Sequence, residues 1–115
     1  MQIRTLRDQD YEQFVAFADK YFGPSHNTDW EFNTHWFKDP KTNEWNALVI
    51  DDAGGLAGAI MMIVVPAKLG RVKTRLAWIS STSVTEELKE RGVGARLYLS
   101  IYRSFPLVGA MSGNE

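Results

Sequence analysis

A long β-like run, 72–84, leads into a turn carrying Gly92 and Gly94 and then into a helix-like run, 95–103. No other feature constrains the chain as much. A strand, a glycine turn and a helix in that order leave the helix N-terminus open. Its first N–H groups have no partner inside the helix, and it carries a partial positive charge. Such an end can hold a phosphate. Lys89 and Arg91 add formal charge at the same place. The segment therefore reads as a pyrophosphate-binding loop. The plainer alternative is a solvated Glu-Leu-Lys-Glu-Arg-Gly turn entering a helix.

The string is not a P-loop, because Gly-x-x-x-x-Gly-Lys-Ser/Thr is absent. Nor is it a dinucleotide fingerprint: Leu97 stands where the third glycine is needed. A nucleotide-binding α/β domain using the same turn stays open as a weaker reading, and it predicts ATP or NAD binding.

Taken in order, residues 3–6 read as a short strand. Asp8 or Asp10 is placed to cap a helix over 11–22, whose buried face is Phe14, Val15, Phe17, Ala18, Tyr21 and Phe22. Gly23-Pro24 stops it. Thr28 or Asp29 caps a second helix running through Phe37, ended by Asp39-Pro40. This region carries Trp30, Phe32, Trp36, Phe37 and Trp45. Apolar residues at helical spacing usually pack on a core, so these aromatics are expected to cover a sheet rather than to wall an acceptor site. Strands follow at 45–50, 56–65 and 72–84, with a glycine hairpin turn at 51–55 and a turn at 66–70. The 56–65 run is nearly all apolar, as suits a central strand covered on both faces. Gly58 within it marks a bulge or a close backbone approach. A fifth strand is expected at 107–111.

Composition narrows the function. The formal net charge is −1, against general nucleic-acid binding. The absence of cysteine excludes disulfides, thiolate chemistry and zinc–thiolate sites. His26 and His35 have no second ligand motif beside them, so no metal site is expected. The N-terminus lacks the apolar stretch of a signal peptide, and the longest apolar run, 56–67, is too short to span a bilayer. These points lead us to expect a cytoplasmic protein without membrane or nucleic-acid partners.

Lys89-Glu90-Arg91-Gly92-Val93-Gly94 resembles the coenzyme A loop of the GNAT acyltransferases, Arg/Gln-x-x-Gly-x-Gly/Ala. That loop follows a strand ending in Val-x-Pro-Glu. Here Val84 takes the valine position and Glu86-Glu87 replaces Pro-Glu. Lysine at 89 keeps charge but lacks the planar fork of arginine. The order of elements resembles the start of a GNAT domain from end to end of the chain. The fold implied is α/β (α+β): a mixed, mainly antiparallel central sheet flanked by helices and truncated after the fifth strand. Residues 1–115 then form a single, N-terminal and incomplete GNAT-like acyltransferase domain. Ser112-Gly113-Asn114-Glu115 reaches the family's asparagine position, and the family's last helix and hairpin would lie beyond it. A piece of a longer polypeptide is favoured over a short natural member. A sheet edge left there would be covered by the missing segment or by a second copy in a homodimer.

The resemblance implies acetyl-CoA (coenzyme A) as cofactor and an amine as acceptor, with N-acetyl transfer as the reaction. It assigns Lys89, Arg91, Gly92, Val93, Gly94 and Ala95 to the pyrophosphate. Ser83, Val84 and Thr85 would pair with the pantetheine arm like an added strand, with a backbone donor near Val84 for the thioester carbonyl. Many relatives carry a glutamate base on the fourth strand, but here Ser80-Ser81-Thr82-Ser83 offers no carboxylate. The catalytic base and acid are therefore unassigned. Glu86, Glu87, His35 and Asp29 are remote candidates for the base. The competing function is a non-catalytic GNAT-like interaction or regulatory domain of a larger protein.

Overall fold

The computed structural model describes residues 1–22 and 29–110. The elements run β1 (Gln2–Thr5), a 3₁₀ turn (Asp8–Asp10), α1 (Tyr11–Tyr21), α2 (Trp30–Phe37), β2 (Ala47–Asp52), β3 (Gly55–Leu69), β4 (Val72–Val84), α3 (Glu86–Glu90), α4 (Val93–Ser104) and β5 (Leu107–Ala110). The five strands form one sheet in sequence order, antiparallel from β1 to β4, with β5 parallel to β4. The mixed, mainly antiparallel sheet flanked by helices is thus as expected. The expected helix stop at Gly23-Pro24, the Thr28 cap, His26, Met111 and the 112–115 tail lie outside the described residues.

β3 sits mid-sheet because apolar residues fill both of its faces. Ile60 and Met62 join Ile50, Ala77, Ile79 and Val84 beneath Leu88, Val93, Leu97 and Ile101 of α3 and α4. Ala59 and Met61 join Val49 beneath Phe14, Phe17, Ala18 and Phe37 of α1 and α2. Two apolar layers thus share one strand, and all four of these β3 side chains are nearly inaccessible to solvent. A strand exposed on one face would alternate apolar with polar residues; this one cannot.

Gly58 meets both expectations for it. Ala57 is an extra residue in β3, since Ile50 pairs with Gly58 and Asp51 with Leu56. A methyl group on Gly58 would lie 2.7 Å from Ile50 Cδ1 and 2.9 Å from Val84 Cγ1.

Several boundaries differ from expectation, each for a local reason. The β3–β4 hairpin does not turn at 66–70. It continues to the pair Leu69–Val72 and turns through Gly70 at φ 65°. Pro66 is tolerated because β2 ends opposite Met61, leaving β3 an edge from there on. Met62 N–H donates to Asn46 O on that edge, so even-numbered amides face it, and Pro66 is the position with none to offer. The Asp52–Gly55 hairpin takes positive φ at Ala53 (52°) as well as Gly54 (82°). Asp29 does cap α2, accepting from Phe32 N–H at 3.0 Å. Neither Asp8 nor Asp10 caps α1 through its side chain.

Both carboxylates are engaged elsewhere. Asp10 accepts from Arg7 N–H at 2.8 Å and from the Arg4 guanidinium at 2.7 Å, and Arg4 also reaches Asp51 on β2. Asp8 accepts from Trp45 Nε1 at 2.7 Å and Lys38 Nζ at 2.9 Å. Lys38 lies over the Trp30 and Trp45 rings, at 5.5 and 5.3 Å from their centroids. These contacts pin the start of α1 and the exit of α2 to the sheet.

The expectation that the α2 aromatics are core is corrected. Phe37 and Trp45 are buried, but Trp30, Phe32 and Trp36 are 42–46% exposed. The inward positions of α2 are Asn33 and Phe37, one turn apart, and the Asn33 amide donates to Tyr11 OH at 2.9 Å. A short helix presents one narrow face, and an asparagine occupies half of it.

Two outcomes follow. Gly58→Ala overpacks the junction of Ile50 and Val84 and should cost about 1–3 kcal/mol, read as a lower urea midpoint at unchanged m value. The Arg4 hydrogen bond holds the Asp10 carboxyl below the usual carboxylate range, and the Lys38 hydrogen bond does the same for Asp8. A depressed folded-state pKa gives stability that is present above the unfolded value of about 4 and lost as pH falls through the folded value. The urea midpoint should therefore fall on acidification below about pH 4, and Asp10→Asn should flatten that fall.

Candidate functional site

The site is built on the end of β4 beyond its described pairing with β5. The two strands pair from Leu76–Leu107 to Ile79–Ala110. At the next residue β4 bulges: Met62 pairs with Ile79 and Met61 with Ser81, so Ser80 is the extra residue. A bulge bends a strand and increases its twist. Beyond it, β4 continues to Val84 paired with β3 alone among the described residues.

The bulge also resets the alternation of side chains. Ile79 and Val84 are an odd number of residues apart, yet both face the α3–α4 core. Ser81 and Ser83 sit opposite Met61 and Ala59 and so share the α1–α2 face. Backbone direction follows the same way. Thr85 N–H donates to Ala57 O on β3 at 2.9 Å, so the neighbouring Val84 N–H points to the opposite edge, where no described residue pairs with it.

The turn after β4 is more ordered than a loop. Thr85 opens α3, and Lys89 N–H donates back to Thr85 O. Arg91 N–H and Gly92 N–H donate to Leu88 O and Lys89 O, both at 3.1 Å. Gly92 then takes φ 71°, a left-handed conformation that glycine accepts without strain, and α4 begins at Val93 rather than at the expected Ala95. Leu88 and Val93 anchor the two sides of the turn in the core.

The two helix N-termini differ in charge. α3 has Glu86 and Glu87 in its first turn, which complement its positive end. α4 has no acidic residue in its first turn and no side-chain cap. The amides of Val93, Gly94 and Ala95 are the first-turn donors, which helix geometry leaves without an intrahelical acceptor. Among the described residues outside its own helix turn, nothing lies within 4 Å of a methyl group built on Gly94, so that side of the first turn of α4 is uncovered by them. Lys89 and Arg91 are exposed beside it; Lys89 lies 3.7 Å from Glu86, a solvated pair of small energy.

The structure therefore brings Val84, Thr85, Gly92, Val93, Gly94 and Ala95 to one end of the sheet, with Ser83 on the strand leading in and Lys89 and Arg91 at the rim. The amides of Arg91 and Gly92 are already used inside the turn. Glu86 and Glu87 are exposed, and Asp29 and His35 lie on the other layer with α2.

Tyr98 has no role that the sequence alone assigns. Its hydroxyl lies 3.2 Å from Thr82 Oγ1 on the strand beyond the bulge. The signal was present in principle, because Tyr98 adjoins the inward Leu97 and the strand is rich in hydroxyls. The bulge that turns Thr82 toward α4 has no signature in the sequence.

The sequence profile of the acetyltransferase (GNAT) domain matches residues 2–105. No curated protein matches the chain in sequence. Among solved structures, a ribosomal-protein-alanine N-acetyltransferase from Brucella melitensis biovar Abortus 2308 is similar with a TM-score of 0.72. It is 18% identical, and the match covers 99% of this chain and 82% of that one. A GNAT family acetyltransferase from Staphylococcus aureus gives 0.68 at 16% identity, covering 98% and 87%. An aminoglycoside N-acetyltransferase in complex with CoA gives 0.72 at 12% identity, covering 97% and 76%. At these identities the likeness is one of fold.

Proposed function

The chain belongs to the GNAT acetyltransferase family, and from that premise we propose that it is an acetyl-CoA-dependent N-acetyltransferase domain acting on an amine. The observation that carries this reading is the junction of the end of β4, paired among the described residues with β3 alone, with a helix N-terminus that has no side-chain cap and no acidic residue in its first turn.

In this reading the amides of Val93, Gly94 and Ala95 hold the coenzyme pyrophosphate, with Lys89 and Arg91 supplying charge from the rim. Gly92 gives the turn its shape. The β4 edge from Ser83 to Thr85 pairs with the pantetheine arm, as a sheet edge accepts an added strand. Val84 N–H, directed to that edge, donates to the thioester carbonyl and steadies the charge that grows on its oxygen. The amine approaches from the α1–α2 face, where Ser81 and Ser83 lie. Bound acetyl-CoA supplies the activated acyl group and the thiolate leaving group. Tyr98, held by Thr82, is the hydroxyl that α4 brings to the end of β4, and we assign it the proton given to that thiolate; the proton lost by the amine passes to solvent water, and water returns Tyr98 to its neutral form.

Amide NMR during addition of acetyl-CoA tests the coenzyme site. Shifts should be confined to Val84, Thr85 and Val93 to Ala95, and Gly94→Val should abolish them without moving the rest of the spectrum. A dispersed spectrum unchanged at about 1 mM, the upper end of usual substrate affinities, would refute the coenzyme site. The Tyr98 assignment has its own readout. In thiol release with an accepted amine, Tyr98→Phe should lower kcat about 100-fold and leave KM for acetyl-CoA unchanged. Equal rates for the two proteins would remove Tyr98 from the mechanism.

A further inference from the structure

Between Asp52 and Glu86 the chain has no carboxylate, and its charged residues there are Lys68, Arg71, Lys73 and Arg75. All four lie on the outer half of the β3–β4 hairpin. Lys68 and Lys73 are direct cross-strand partners, an arrangement of like charges that costs stability. No ion pair among the described residues relieves any of the four. The whole chain holds 14 acidic and 13 basic residues, so everything outside this hairpin is net acidic.

A cleft of about 640 Å³ opens at the base of the same hairpin, between the end of α2 and the free edge of β3. This size lies within the range of ligand clefts. Its apolar walls include Trp36, Pro40, Ile63 and Val65. Its carboxylate, Asp39, is taken up by the backbone amides of Lys41 at 2.8 Å and Thr42 at 3.4 Å. Lys38 contributes its stem, with its ammonium group turned to Asp8. Lys41 and Arg75 are left as lining cations without an ionic partner among the described residues. Arg75 lies over the Phe105 ring at 5.0 Å from its centroid but has no carboxylate partner, so an apolar cleft with two cations lacking an acidic partner among the described residues runs on into a basic hairpin.

We propose that the cleft and the β3–β4 hairpin form a docking surface for an acidic polypeptide segment of a partner protein, with an apolar residue of that segment seated against Trp36. The proposal does not depend on acyl transfer. Charge complementarity selects the acidic partner, and the cleft selects a polypeptide. Nucleic acid carries a phosphate at every step, and the net acidic remainder of the chain repels it as it approaches. A short acidic segment meets the cations locally. Strand addition to β3 is blocked where Pro66 has no amide to offer, so recognition is by side chains.

The test uses the full chain and a fluorescein-labelled peptide of about ten residues, Glu and Asp around one Leu, followed by anisotropy. The peptide should bind at low salt and weaken at physiological salt, as exposed charge contacts are screened. Lys73→Glu with Arg75→Glu, and separately Trp36→Ala, should each weaken binding about tenfold or more. These positions are exposed, so unchanged thermal melting certifies the fold, and Lys20→Glu on α1 serves as a distant charge control. Absence of binding at low salt, or equal binding by the variants and the parent, would overturn the proposal. So would single-stranded DNA or phosphatidylserine vesicles binding as tightly as the peptide, because the surface would then be a general polyanion site.

Discussion

The single extra residue at Ser80 bends β4 and resets its side-chain alternation, so that Val84 reaches the same core as Ile79. Were Ser80 paired in regular register instead of bulged, Ser81 and Ser83 would be driven beneath α4 and Val84 would face the other layer. Buried hydroxyls without partners cost more than the apolar contacts they displace. The bulge is thus the arrangement in which an apolar strand end, a hydroxyl-bearing face and an open edge coexist. The placement of Thr82 by Tyr98, the direction of Val84 N–H and the approach to α4 all follow from it.

The turn that follows shows how local charge can reserve a helix end. Two helices start within a few residues of each other, and each has a positive N-terminus. The carboxylates of Glu86 and Glu87 are spent on the first. The second has glycine at its cap and at its second position, and neither provides a side chain to occupy the donors. Leu88 and Val93 hold the turn from below, so the open end is fixed before any ligand arrives. A preorganised donor set loses little entropy on binding, the usual route by which a small anion site gains affinity.

The strand and helix pattern was legible because long elements carry their own periodicity. The apolar run that became β3 could only be central, and β4 was bounded correctly by Val72 and Val84. The errors fall where tertiary contact overrides local pattern. Pro66 read as a turn because a proline usually breaks a ladder, but its edge faces no strand. The aromatics of α2 read as core by spacing, but the helix is short and its inward face is Asn33 and Phe37. Asp8 and Asp10 read as caps, whereas their partners Lys38, Trp45 and Arg4 come from elsewhere in the chain. The α3 turn was missed because five residues are too few to show a period. In the site, the glycines and charges were visible in the sequence, while the use of the Arg91 and Gly92 amides inside the turn was not.

The two layers around β3 divide the labour. The α3–α4 layer is closed mainly by aliphatic packing, with Leu99 and Tyr102 exposed on the outer side of α4. The α1–α2 layer is held by charged clamps, Arg4 with Asp10 and Lys38 with Asp8; Trp30 packs edge-on against Tyr11 and Trp45, while Phe32 and Trp36 are left largely exposed. Large exposed aromatics on a helix whose inner face is already filled are not explained by core packing, since burying them would gain about 1.5–3 kcal/mol each. Their exposure places contact surface on the layer away from the α3–α4 turn. A fold that binds one reactant in its backbone and meets another with its side chains can keep the first site constant while the second changes, and α2 is where this chain has the freedom to do so.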